Sequence, residues 1–104
     1  MIVLPVDGPA PRPDRPSTVL LHDEPDVRIV RFHLTPGQEV PPHTSPSSVV
    51  IQVLEGMGTF DGADGSVTLG PGDTVVYAPN ELHSMRADRE EPLRFLAVIT
   101  PRPG

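Results

Sequence analysis

The sequence contains no cysteine, no lysine and no tryptophan, and only four aromatic residues: Phe32, Phe60, Tyr77 and Phe95. Without cysteine there is no disulfide, no thiolate nucleophile and no Cys-built zinc site. Four aromatics give poor support for stacking sugars or bases. All eight cationic residues are arginine, which reads as coding bias rather than chemistry. No apolar run approaches the ~20 residues of a membrane span. Pro5 cuts the apolar stretch Ile2–Leu4, and no cationic segment precedes it, so no secretory leader is visible. These absences predict a cytoplasmic protein with no membrane partner.

What is present points to strands. Of 104 residues, 15 are Pro and 9 are Gly. The longest stretch free of proline runs from Ser47 to Gly70. An interior proline costs a helix about 3 kcal/mol or more, so a helix bundle is close to excluded. Collagen is excluded by the lack of a Gly-X-Y period. Val, Leu, Ile and Phe number 29, too many for a disordered chain, and 13 of them are the β-branched Val. The chain is long enough for one domain. Its formal net charge of -6 is spread without a basic patch, which argues against a nucleic-acid partner.

Along the chain, residues 1–16 hold Pro5, Pro9, Pro11, Pro13 and Pro16 and read as an extended arm. The arm is either a free tail or a strap laid along a sheet edge or a neighbouring subunit. Residues 17–100 carry the strand signals, and 101–104 form a tail. Val27–Leu34 alternates, with Val30, Phe32 and Leu34 on one face and Arg31 and His33 on the other. Val49–Leu54 is nearly continuously apolar, as in a strand buried on both faces or at a subunit interface. The Asp61-Gly62-Ala63-Asp64-Gly65 segment predicts a hairpin, and Gly70-Pro71-Gly72-Asp73 a tight turn in which Asp73 serves the turn. Asn80–Glu91 has too few apolar residues to bury a helical face and reads as loop and strand. The sum is about eight to ten short strands, the pattern of a sandwich or barrel.

Two segments are more specific. Gly37-Gln-Glu-Val-Pro-Pro-His43, followed by Gly56, resembles the first cupin motif. Gly72-Asp-Thr-Val-Val-Tyr-Ala-Pro79-Asn80-Glu-Leu-His83 resembles the second. The resemblance covers roughly residues 27–100. It implies an all-β fold, a double-stranded β-helix or jelly-roll-like cupin barrel. It also implies metal ligands at four positions, two His and a Glu in the first motif and a His in the second. Here His43 and His83 occupy the first and last of these. Ser45 stands at the second His, and Val49, or Val50 with the longer spacing, at the Glu. Pro79 falls one residue late, Asn80 replaces a glycine and Ala87 the final Asn.

The half-erased ligand set predicts that His43 and His83 hold a divalent transition metal weakly or not at all, because a hydroxyl is a poor ligand for borderline metals. Glu39 shares the strand parity of His43, but four residues of strand place it about 13 Å away. Gln52 faces the other way from Val49. His22 and His33 lie on other strands and read as surface or satisfied histidines. The predicted ligand-binding residues are His43, Ser45, Tyr77, His83 and Met85, with Val49, Ile51 and Val53 on the same faces. For Ile51 and Val53 plain core is the safer reading. No carboxylate partner for either histidine is visible in the sequence.

Three functions fit. The first is a small-molecule-binding cupin that does not catalyse efficiently. The second is an enzyme, either a metal-dependent oxygenase or isomerase using His43 and His83 or a metal-free acid/base catalyst. The third is a scaffold for a partner. A homodimer is expected, pairing through a sheet face or the arm.

Overall fold

The computed structural model describes residues 1–5 and 8–103. Positions 6 and 7 of the expected arm and 104 of the expected tail lie outside the described residues. The described residues form nine strands and no helix: β1 Ser17–Glu24, β2 Val27–Leu34, β3 Glu39–His43, β4 Ser48–Gly56, β5 Gly58–Gly62, β6 Gly65–Leu69, β7 Thr74–Tyr77, β8 His83–Ala87 and β9 Leu93–Thr100. They form a five-stranded sheet, β1-β2-β9-β4-β7, and a four-stranded sheet, β3-β8-β5-β6, with antiparallel pairing throughout. This is the double-stranded β-helix.

Alternation along the strands fills the space between the sheets. In β4, Val49, Ile51 and Val53 are buried while Gln52 and Leu54 are exposed. In β9, Leu93, Phe95 and Ala97 point inward. Phe95 is the centre of the core: Phe32 stacks on it at 4.7 Å and Phe60 meets it edge-on at 5.9 Å. The Val49–Leu54 run is therefore buried on one face, not two. Its outward Val50 pairs with Val98 on one side and Val76 on the other, and Ile29 pairs with Val98. An apolar row thus crosses the outer face of the large sheet, and Val76 at its end is 63% exposed.

Backbone geometry follows the turn residues. Gly72 takes φ +88° in the turn before β7, and Asn80 takes φ +66° before β8. Asp73 accepts the Gly70 N–H and closes its turn, as its position predicts. Gly56 is more constrained. It has φ +82°, and a side-chain carbon there would lie 1.7 Å from the Pro92 carbonyl oxygen.

The arm approaches the outer face of the large sheet. His33 Nδ1 donates to the Pro9 carbonyl at 3.2 Å, and Gln38 donates to the Arg12 carbonyl at 2.7 Å. Gly8 runs so close to Arg31 that a Cβ there would lie 3.0 Å from the Arg31 Cδ. Arg31 is buried, which strand alternation alone does not anticipate for an outward-facing arginine.

Candidate functional site

The site is built where β3 meets β8. His43 pairs with His83 in the register of these strands, and the two imidazole centroids are 4.2 Å apart with a 59° tilt. The pairing depends on an irregularity. Val40 pairs with Met85, and the register then shifts before His43 reaches His83. One extra residue reverses the alternation beyond it. The shift falls at Pro41-Pro42, which cannot donate to the ladder and are tolerated because β3 is an edge strand. Val40 and His43 therefore face one chamber. Glu39, which parity assigns to the His43 face, is exposed and pairs with Arg86 in register.

The chamber has a volume of about 160 Å³. Its apolar walls include Phe32, Ile51, Met85, Phe95 and Ile99, and its polar side chains are His43, Ser45 and His83. The four positions expected to carry ligands (43, 45, 49 and 83) all line it. His43 stands exposed at the mouth and His83 is buried inside.

Both rings are anchored through Nδ1. His43 Nδ1 lies 2.9 Å from the Pro41 carbonyl oxygen, and His83 Nδ1 lies 2.8 Å from that of Glu81. A carbonyl oxygen only accepts, so each Nδ1 carries a proton, and each neutral ring keeps its lone pair on Nε2. Burial pushes the His83 pKa down. The Glu81 carbonyl bond opposes this, His43 adds to it, and the Glu81 carboxylate opposes it.

Tyr77 does not line the chamber. Its ring stacks on His83 at 4.4 Å and 18°, on the side of a separate cavity shared with Gly62, Ser66 and Glu81. Its hydroxyl is buried with no hydrogen-bond partner. Burial first, then the Asp61 and Glu81 carboxylates, pushes its pKa up to about 12. The expected polar handle is thus the packing support of His83. Val53 is core and lies outside the chamber lining; Ile51 and Met85 line it. His22 borders an outer cavity with Met1, Ile2 and Leu4.

Glu81 is the carboxylate near His83 that the sequence does not reveal. Its two oxygens accept the backbone N–H groups of Ala63 at 3.0 Å and Ala78 at 2.9 Å, which lowers its pKa. It ties the β5–β6 hairpin to the turn before β8 while its own carbonyl holds His83. The adjacent Asn80 N–H donates to the Ser45 carbonyl at 2.6 Å. Nothing in the residue order marks Glu81, because its partners are backbone groups brought in by the fold.

The donor set does not make a complete metal centre. Two Nε2 lone pairs are available. Ser45 Oγ is neutral and accepts the Ser47 N–H at 3.2 Å, and Val49 offers no donor. Among the described residues, no group of three or more His, Asp or Glu is arranged to hold one ion. A catalytic transition-metal site ordinarily has three protein ligands and an open position. The residues present supply two of the motif's four ligands, one fewer than such a site needs.

A double-stranded β-helix with paired histidines at the mouth of its interior chamber defines the class of protein. The family model of the cupin domain matches residues 30–99, and the chain belongs to that family. It is similar to an RmlC-like cupin from Desulfovibrio desulfuricans at 28% identity, covering 92% of each chain with a TM-score of 0.81. It is also similar to TT1209 from Thermus thermophilus at 24% identity, covering 88% of this chain and 89% of that one, TM-score 0.83. The polyketide cyclase RemF from Streptomyces resistomycificus shares the fold at 23% identity, covering 86% of this chain and 68% of that one, TM-score 0.77. No curated protein matches the chain. No helix among the described residues is long and apolar enough to cross a membrane.

Proposed function

We propose that this cupin binds one small, largely apolar molecule in the chamber between its sheets, and that it binds rather than efficiently catalyses. The observation that carries this reading is the composition of the chamber. Apolar walls surround three polar side chains, and two of the four ligand positions of the motif hold Ser45 and Val49. Small-molecule sites have this character, a mostly apolar concavity with a few placed polar groups. The size is informative, since an apolar cavity of about 150 Å³ accommodates benzene. A divalent transition metal would be held only weakly, by His43 and His83 alone.

The test is a fragment titration followed by the methyl resonances of Met85 and Ile51, which sit in the walls. Small aromatic fragments shift these methyls in the wild type and leave them unmoved in Ala97→Leu, which fills the chamber. Fragments that move neither methyl at millimolar concentration overturn the reading.

A second reading, a metal-dependent cupin enzyme of the oxygenase or isomerase type, draws support from the anchoring of both Nδ1 atoms on carbonyls. Metal-binding histidines are commonly oriented in this way. Stoichiometric metal retained through dialysis against chelator favours it, and requires a third ligand from a second copy or the substrate.

The apolar row Ile29–Val98–Val50–Val76 supports pairing with a second copy of the chain. Two such flat faces shield each other in an isologous contact.

A further inference from the structure

We infer that the molecule bound in the chamber is a neutral hydrogen-bond donor, a phenol or short alcohol, and not a carboxylate; the inference rests on the chamber being the binding site. It follows from the two anchored rings. The Pro41 and Glu81 carbonyls each take the Nδ1 proton of one imidazole. Nε2 is the ring nitrogen farther from the backbone, and on both rings it carries a lone pair. The rings meet with centroids 4.2 Å apart. The polar end of the chamber is therefore doubly accepting.

An acceptor-lined end selects its ligand by what it penalises. A carboxylate would bring negative charge against two lone pairs, and no arginine lines the chamber to neutralise it. An ammonium group would donate to the imidazoles, but no carboxylate lines the chamber to balance its charge. Glu81, whose carbonyl holds His83, has its carboxylate engaged by the N–H groups of Ala63 and Ala78. A ring without polar atoms would fit the walls and leave the acceptors unpaired. A hydroxyl satisfies both requirements. Its hydrogen reaches an Nε2, and its oxygen can accept from Ser45, whose Oγ accepts the Ser47 N–H and retains its own hydrogen to give. A volume of about 160 Å³ admits a single six-membered ring.

The experiment compares phenol, toluene and benzoate at pH 8.5 with chelator present, followed by the Met85 and Ile51 methyls and by the imidazole Nε2 resonances. At this pH an ordinary imidazole is neutral, a phenol is mostly protonated and benzoate is ionised. Phenol should bind about tenfold or more tightly than either of the others, and should shift Nε2 as well as the methyls. The exposed His43 permits a variant that leaves the core intact. In His43→Phe the ratio of phenol to toluene affinity, both measured in the variant, should fall severalfold. Benzoate equal to or tighter than phenol overturns the inference and leaves the chamber as the binding site. So does toluene equal to phenol. If no probe moves the methyls, the inference fails together with the proposed function.

Discussion

His43 and His83 stand directly opposite each other on β3 and β8, and neither would do so without the register shift at Pro41-Pro42. The shift changes which residues of β3 face inward, and so which chemistry the chamber contains. Regular alternation from Val40 would point Pro42 at the chamber and His43 away from it.

The metal deficit is reversible if the geometry is sound. Ser45→His with Val49→Glu supplies the two missing donors on a chamber that already holds both imidazoles. The double variant should retain about one equivalent of divalent metal after dialysis against mild chelator, measured by elemental analysis. The wild type should lose its metal. Without metal the double variant should be less stable than wild type, because its carboxyl enters the position of a buried valine.

Tyr77 should titrate late. It is the only tyrosine in a chain without tryptophan, so absorbance in the near ultraviolet reports its ionisation alone. The folded protein should show a midpoint near 12, against an ordinary value of 10.0 for the phenol in denaturant. The folded state holds the proton more tightly, so this contribution is complete below the ordinary value and is lost as pH rises through the folded one. A shift of this size corresponds to about 2–3 kcal/mol. A midpoint at the ordinary value would mean that the ring is solvated.

The His83 contribution has the opposite pH dependence. Its pKa is depressed, so the unfolded chain binds its proton more readily than the folded one. Stability is then complete above the ordinary value of 6.5 and declines as pH falls through the folded value. Urea midpoints measured from about pH 8 downward should show this decline. His83→Gln should flatten it even where its overall stability is lower.

The core should be sensitive at Phe95, which is 1% exposed and holds Phe32 and Phe60 against its two sides. Phe95→Ala should cost about 3–5 kcal/mol in denaturant unfolding. It should also enlarge the chamber, which Phe95 lines. A loss below about 1 kcal/mol would show that the surrounding side chains collapse into the space.

Pairing should be visible by sedimentation. Wild type should run at twice the 11.2 kDa chain mass at micromolar concentration. Val50→Glu with Val76→Glu should run as a monomer with its circular dichroism unchanged, since both side chains lie on the outer face. A wild type at the single-chain mass rejects the dimer.

Several features were set by the residue order alone. Proline and glycine spacing excluded helices, and Asp73 and the Asp-Gly steps placed the turns, because these are consequences of backbone stereochemistry within a few residues. Motif spacing marked His43 and His83 and showed Ser45 and Val49 where donors were expected. Only the tertiary structure decided which way His43 points, because parity across a bulge depends on the partner strand. It alone placed Tyr77 behind His83 and outside the chamber, and Glu81 across two turns, because contacts between strands distant in sequence leave no local pattern. The apolar walls follow the same rule. Phe32, Met85 and Ile99 come from three strands, and no periodicity within one strand says that they enclose a common space.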